Sequence, residues 1–285
     1  QADIAMYQAK EDGRNALRFF DPQMQASITA RVALETELNQ AIEQQQFQVY
    51  YQIQVDSSQR PLGAEALVRW VHPDRGLIYP LDFISVAEQN GTIQAIGKWV
   101  LNTACAQLKV WQQEAQTCDL TLSVNVSTKQ FRQVGFLSQV TMLVQRHAIN
   151  PTRLKLELTE SLLLEDVEGT IIKMKALADL GIQFSLDDFG TGYSSLQYLK
   201  QLPLHQLKID KSFIDDLVTD TSDQTIVRTI IAMAHSLDLS VIAEGVENKE
   251  QQQQLLNKGC TNYQGYLFSK PLPINEFNEL LKEHG

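Results

Sequence analysis

Cysteine is scarce: three residues in 285, Cys105, Cys118 and Cys260, far apart and without metal-ligand spacing. That excludes a disulfide-stapled scaffold or a thiolate metal site, and it fits a reducing compartment, so a cytoplasmic location is expected. Long apolar runs are missing as well. None approaches the ~20 residues that span a bilayer, and no signal-peptide pattern is present, so no membrane segment is expected in this stretch. Basic residues are outnumbered, 24 Lys and Arg against 34 Asp and Glu, for a net charge of −10. With no cluster of Lys and Arg, such a chain repels a duplex phosphate backbone, which argues against duplex nucleic acid as a partner. A small anionic ligand stays open, provided something positive receives it. The histidines, His72, His147, His205, His235 and His284, show no ligand spacing. Asp188-Phe189-Gly190 copies a kinase tripeptide, but no glycine-rich phosphate loop and no His-Arg-Asp sequence accompany it.

What is present is an ordinary globular composition, 44% hydrophobic and 20% charged, in a chain long enough for one large core. The chain starts at Gln1 without a Met, so a longer parent protein is expected. From Pro22 to Gln46, Met24, Ile28, Leu34, Leu38 and Ile42 recur near a 3.6-residue period and predict a helix. The period then changes. Phe47–Val55 and Leu62–Trp70 read as strands joined by the short turn Asp56-Ser57-Ser58, an antiparallel hairpin. Further strands are expected at Thr121–Val126, Leu154–Leu158, Gln183–Leu186, Gln206–Ile209, Val241–Ala243 and Asn262–Leu267. Helical patterns separate them, among them Gly169–Leu180, Gln224–Leu237, Lys249–Asn257 and Ile274–Lys282. Repeated β-then-α units predict an α/β fold, a TIM-like (β/α)8 barrel whose first strand runs antiparallel.

Alternation within the strands sorts their side chains, since neighbours point to opposite faces. In Leu154-Lys155-Leu156-Glu157-Leu158 the leucines share a face and Glu157 takes the other. Asn125 lies opposite the apolar face of its strand, and Glu65 and Arg69 share a parity. Glu65, Asn125, Glu157, Glu160, Asp187, Asp188 and Glu244 all fall at or near C-terminal strand ends, where barrel enzymes place their chemistry. Six of these seven are acids, and Lys208 is the one ammonium expected nearby. So many like charges need compensation, which divalent cations supply most simply. An all-oxygen donor set suits Mg²⁺ or Mn²⁺. Adjacent Asp187 and Asp188 before a glycine-rich loop could flank two cations, an arrangement suited to in-line displacement at phosphorus. Taken singly each motif has a bland reading: Asp187-Asp188-Phe189-Gly190 as a turn, Asn125 as a satisfied buried amide, Lys208 as a mere charge partner, Arg69 and Trp70 as packing. Their joint placement carries the argument.

The segments Glu65-Ala66-Leu67-Val68-Arg69-Trp70, Ser123-Val124-Asn125-Val126-Ser127, Glu157-Leu158-Thr159-Glu160 and Asp187-Asp188-Phe189-Gly190-Thr191-Gly192 follow one another in order. Lys208-Ile209-Asp210, Ala243-Glu244-Gly245-Val246-Glu247 and Gln264-Gly265-Tyr266 continue the series. From about Arg31 onward the chain resembles the EAL-domain cyclic di-GMP phosphodiesterases. The resemblance implies hydrolysis of cyclic di-GMP to linear pGpG. It implies Glu65, Asn125, Glu157 and Asp187 around one metal, with Asp187 bridging to a second held with Asp188 and Glu244. It implies that Lys208 and Glu244 orient or deprotonate the attacking water, and that Glu160 braces the Asp187–Tyr193 loop, a loop linked to dimerisation. Gln52, Leu67, Arg69, Asp210, Glu247 and Gln264 would contact the dinucleotide. A homodimer, activity with Mg²⁺ or Mn²⁺ and inhibition by Ca²⁺ follow as expectations. Residues 1–22, with Ala2-Asp3-Ile4-Ala5-Met6-Tyr7 and Gly13-Arg14-Asn15, resemble the tail of a GGDEF-type domain, leaving 23–46 as a connecting helix and 47–285 as the EAL domain. One position departs from the family: Ile53 stands where Tyr51-Gln52 is usually followed by proline. It is expected to affect how Gln52 meets the ligand, not the chemistry.

Competing readings are a catalytically weak cyclic di-GMP receptor, a protein-interaction platform and a glycosidase. The receptor class typically lacks metal ligands that this chain retains. A glycosidase needs one carboxylate pair and leaves Asn125, the adjacent aspartates and Lys208 unexplained.

Overall fold

A computed structural model describes residues 22–164, 166–190 and 196–283, and the side chains of 22–30, 163–165 and 191–197 are outside it. Residues 1–21, expected to be the tail of a GGDEF-type domain, and the Thr191–Tyr193 part of the loop that Glu160 is expected to brace lie outside the described residues.

The strands, in chain order, are β1 (Phe47–Asp56), β2 (Pro61–His72), β3 (Gly76–Ile78), β4 (Thr121–Asn125), β5 (Leu154–Thr159), β6 (Gln183–Phe189), β7 (Gln206–Ile209), β8 (Ser240–Ala243), β9 (Asn262–Gln264) and β10 (Leu272–Pro273). The chain divides into two compact units, one of Gln1–Phe47 with Trp70–Ile93, the other of Gln48–Arg69 with Gln94–Gly285. The chain passes from one unit to the other within β1, within β2 and after Ile93.

The larger unit holds the barrel. From β2 through β4, β5, β6, β7 and β8 to β9 every neighbouring pair is parallel. β1 lies antiparallel to β9 and also pairs with β2, which closes the ring. This is the expected barrel with its reversed first strand. The reversal has a local cause: Asp56 Oδ1 accepts from the backbone N–H of Ser58 (2.8 Å) and Arg60 (2.9 Å), and Gln59 takes φ 62°. A turn this tight can return the chain only beside itself. The short β10 adds to β1 outside the ring.

Helices Val167–Ala178, Thr221–Ser236, Lys249–Asn257 and Ile274–Glu283 match the predicted ones to within a few residues. Asp220 and Asn248 cap two of them, the latter in a full capping box with Gln251. The last predicted strand is shorter than expected. It stops at Gln264, and the backbone of Gly265 is drawn instead to the Val246 segment, where an added Cβ would sit 2.1 Å from Val246 O.

The core lies between strands and helices. Leu122, Val124, Leu154, Leu156, Leu158, Phe184, Leu186 and Leu207 are buried, as are Leu143, Met174, Leu177, Val227 and Ile231 from the helices. Each such side chain contributes roughly 1.5–3 kcal/mol by leaving water. β5 is buried on both faces, so its alternate polar residues face a closed interior.

The smaller unit contains helix Pro22–Glu43, helix Pro80–Asn90 and the antiparallel pairing of β3 with Trp70–His72. Phe47, Trp70 and Phe83 form an aromatic cluster with centroids 5.7–6.0 Å apart. Trp70 Nε1 donates to Gln46 Oε1 at 2.9 Å. Trp70 is therefore a packing residue, the bland option for it.

Candidate active site

The acids of β2, β5, β6 and the β8 end converge on one lysine. Lys208 Nζ, 1% exposed, donates to Glu157 Oε2 at 2.6 Å and lies 3.1 Å from Asp187 Oδ1 and 3.7 Å from Glu65 Oε2; it also pairs closely with Glu244. Glu65 is held from two further sides, by Asn125 Nδ2 (2.5 Å to Oε1) and Gln264 Nε2 (2.5 Å to Oε2). The glutamines extend this into a row: Gln54 Nε2 donates to Gln264 Oε1 (2.8 Å), Gln264 Nε2 reaches Gln52 Oε1 (3.1 Å), and Gln52 Nε2 donates to Ser269 O (3.1 Å). Gln52 is thus hydrogen-bonded at both ends.

Asp187 and Asp188 are neighbours on one strand, and strict alternation would send them to opposite faces. The register shifts between Leu186 and Phe189, and Asp188 adopts φ 53°. Such a bulge re-aims a side chain next to an active site. The Asp188 backbone N–H donates to Asp187 Oδ1 at 3.0 Å.

Four carboxylates around one ammonium set the electrostatics. Burial works against the charge of Lys208, yet Asp187, Glu157, Glu244 and Glu65 together raise its proton affinity well above the ordinary value. Glu157 is pushed up to about 8, chiefly by burial and then by Glu65 and Asp187, against the pull of Lys208. Asp188 is raised to about 6 by burial, Asp187 and Asp210. Glu244 is raised well above the usual carboxylate range, mainly by burial. For Glu65 burial is outweighed by Lys208 and by the amides of Gln264 and Asn125, so its carboxyl stays below the usual range.

The remaining candidates are placed as follows. Glu160 is buried at the start of the short 3-10 turn Glu160–Leu164, just past β5. Arg69 is buried, its guanidinium 5.6 Å from the Tyr50 ring centroid, and Leu67 is half-buried. Asp210 Oδ1 accepts from the Ser212 backbone N–H at 3.1 Å, and Glu247, exposed, accepts from Lys211 Nζ at 2.6 Å. One expectation fails. Lys208 is not the lone ammonium near the acids: Lys155, on the same face of β5 as Glu157, is buried inside the barrel with its Nζ on Gln206 Oε1 at 2.9 Å. Its shared parity with Glu157 was the available signal.

For a divalent cation the donor set fits by its chemistry, being oxygen throughout. A structural sign agrees: Glu157 Oε1 is buried with no hydrogen-bond partner among the described residues. Among those residues no three His, Cys, Asp or Glu side chains are already arranged as a metal ion would need. The carboxylates converge on Lys208 instead, so a cation would compete with its ammonium for the same oxygens.

Acids at the C-terminal rim of a barrel, with a buried lysine at their centre, occupy the place where barrel enzymes carry their sites. The chain belongs to the EAL domain family, which matches residues 35–271. It is 42% identical over 276 residues to the bifunctional diguanylate cyclase/cyclic di-GMP phosphodiesterase MucR of Pseudomonas aeruginosa, covering 96% of this chain and 40% of that protein. It is 38% identical over 283 residues to the cyclic di-GMP phosphodiesterase PdeR of Escherichia coli, covering 99% of this chain and 42% of that one. The chain thus spans about two fifths of these relatives' length. Among solved structures, the Pseudomonas aeruginosa MucR phosphodiesterase in complex with cyclic di-GMP superposes with a TM-score of 0.84 at 41% identity, covering 86% of this chain and 99% of that one. Phosphodiesterases of the family depend on a divalent metal. No described helix is long and apolar enough to cross a membrane.

Proposed function

We propose that this chain hydrolyses cyclic di-GMP to linear pGpG. The observation that carries the reading is the convergence of Glu65, Glu157, Asp187 and Glu244 on Lys208, together with the similarity to relatives named for that activity. Glu65, Asn125, Glu157 and Asp187 would hold one Mg²⁺ or Mn²⁺, and Asp187, Asp188 and Glu244 a second. When bound, such ions supply Lewis acidity and lower the pKa of a coordinated water.

The chain's own residues divide the rest of the work. Lys208, kept as an ammonium, orients the water and neutralises charge that grows on the phosphoryl oxygens. Glu244, paired closely with Lys208 and so held towards its carboxylate form, takes the water's proton. The new bond forms between the water oxygen and phosphorus, the ester bond to the 3′ oxygen breaks, and that oxygen takes a proton from solvent, which balances the one Glu244 took from the attacking water. Arg69, buried beside Tyr50, offers a guanidinium to a phosphate. Gln52 and Gln264 are ordered by their mutual hydrogen bond and would meet the dinucleotide without a large rearrangement. Asp210, Glu247 and Leu67 would complete its surroundings, and Glu160 would brace the loop after Asp187.

The parent protein would carry a GGDEF-type domain upstream and work as a homodimer. The match to much longer relatives runs over 96–99% of this chain, upstream of the family's own span, which supports the former.

Incubation with cyclic di-GMP and Mg²⁺ or Mn²⁺ should yield pGpG. A folded chain that produces none with any divalent metal overturns the reading, and tight binding without turnover would make it a receptor instead. Ca²⁺ should inhibit, since its longer, looser coordination spoils the geometry; full activity in Ca²⁺ would remove that expectation.

A further inference from the structure

The acids and Lys208 form one inward tier of the barrel, and the residue two positions earlier on each strand forms the tier beneath. Below Glu65, Asn125, Glu157, Asp187 and Lys208 come Gly63, Ser123, Lys155, Ser185 and Gln206. Four of these five are neutral. Lys155 is not, and it is 6% exposed. Its Nζ donates to Gln206 Oε1 at 2.9 Å, an oxygen that Ser185 Oγ also approaches at 3.5 Å. Among the described residues no carboxylate forms an ion pair with it. A buried charge is costly unless compensated. One step of two residues along a strand is about 7 Å, so the acid tier above is the compensating charge.

We propose that Lys155 is a positioning charge in the barrel floor that holds down the affinity of the acid tier for divalent cations. The inference rests on the metal reading of that tier. Its sign follows from valence. The ammonium repels a divalent ion twice as strongly as the proton that ion displaces from a carboxylate. Removing it therefore tightens cation binding even though it also lets the acids hold their protons more firmly. The gain for the protein is exchange: a tier with this many acids would otherwise grip its ions and leave Lys208 no share of the oxygens.

The test is calorimetric titration of the whole chain with Mn²⁺, without substrate. Lys155→Met removes the charge at nearly constant shape, Lys155→Gln also retains a hydrogen-bonding partner for Gln206, and Lys155→Arg keeps the charge. Both neutral variants should bind Mn²⁺ about tenfold more tightly than the wild type, with Lys155→Arg near wild type. Unchanged or weaker binding in folded neutral variants overturns the inference while leaving the metal reading intact. Failure of both neutral variants to fold would make Lys155 a packing residue and overturn it as well. Absence of any Mn²⁺ uptake by the wild type would sink the metal reading and this inference together.

Discussion

Glu65 illustrates how much one side chain is asked to do. It accepts from Asn125 and Gln264, lies 3.7 Å from Lys208, and stays ionised in a buried place because those three outweigh its burial. Replacing it with Ala removes a proposed metal donor and strands two amides and part of the charge of Lys208. Hydrolysis of cyclic di-GMP should fall by at least about 100-fold. The unpaired amides should cost roughly 1–3 kcal/mol of stability while the barrel stays folded. Product analysis beside a thermal melt checks both, and full activity in Glu65→Ala would mean the metal site is misassigned. The neighbouring amides explain why a sequence reading could name Glu65 and Asn125 yet not their relation: the hydrogen bond between them joins residues 60 apart.

Two elements make the site by departing from ideal geometry. The bulge in β6 places Asp188 at φ 53°, a conformation that Asn tolerates and a β-branched residue resists. Asp188→Asn should therefore keep stability within about 0.5 kcal/mol, whereas Asp188→Val should lose roughly 1–3 kcal/mol, although both remove the charge of a proposed metal donor. Equal melting of the two variants would show that the backbone there is not constrained. At the end of β9, Gly265 allows Val246 to come so close that an added Cβ would lie 2.1 Å from its O and 2.3 Å from its N. Those are backbone atoms and cannot step aside. Gly265→Ala should destabilise the chain by about 1–3 kcal/mol. It should also lower turnover by moving the segment that carries Glu244 and Glu247, an effect that a stability measurement at saturating Mn²⁺ would separate from simple unfolding. Neither device was legible beforehand. Alternation predicts opposite faces for Asp187 and Asp188, and a Gly after a strand looks like any strand end.

For the whole molecule the acid tier links metal, protons and stability. Glu157, raised to about 8, and Asp188, raised to about 6, hold protons in the folded chain that their unfolded counterparts have already lost. The folded state binds more protons than the unfolded state as pH rises from the ordinary carboxylate range towards 8, so these groups stabilise at low pH and that contribution is lost as pH approaches 8. A divalent cation must displace the same protons. Its stabilisation should accordingly be larger at pH 8 than at pH 6, and its binding should release protons. Melting temperatures with and without saturating Mn²⁺ at the two pH values test this; an increment independent of pH would contradict it. The positive groups that would receive a dinucleotide, Arg69 and Lys208, are both buried.

The order of strands, the reversed first strand and the inward identity of Glu65, Asn125, Glu157 and Lys208 were determined by the sequence alone. Side-chain parity is a local property of an extended chain, and the 56–60 turn is built from adjacent residues. Closure was decided only in three dimensions. It sets β1 between β2 and β9 and so brings Gln264 to Glu65 across 199 residues. The same holds for the bulge that turns Asp188, the close approach of Gly265 to Val246, and Lys155 lying buried one tier beneath the acids. Each depends on register between segments distant in the chain, and register is fixed by packing and hydrogen bonding that no single segment contains.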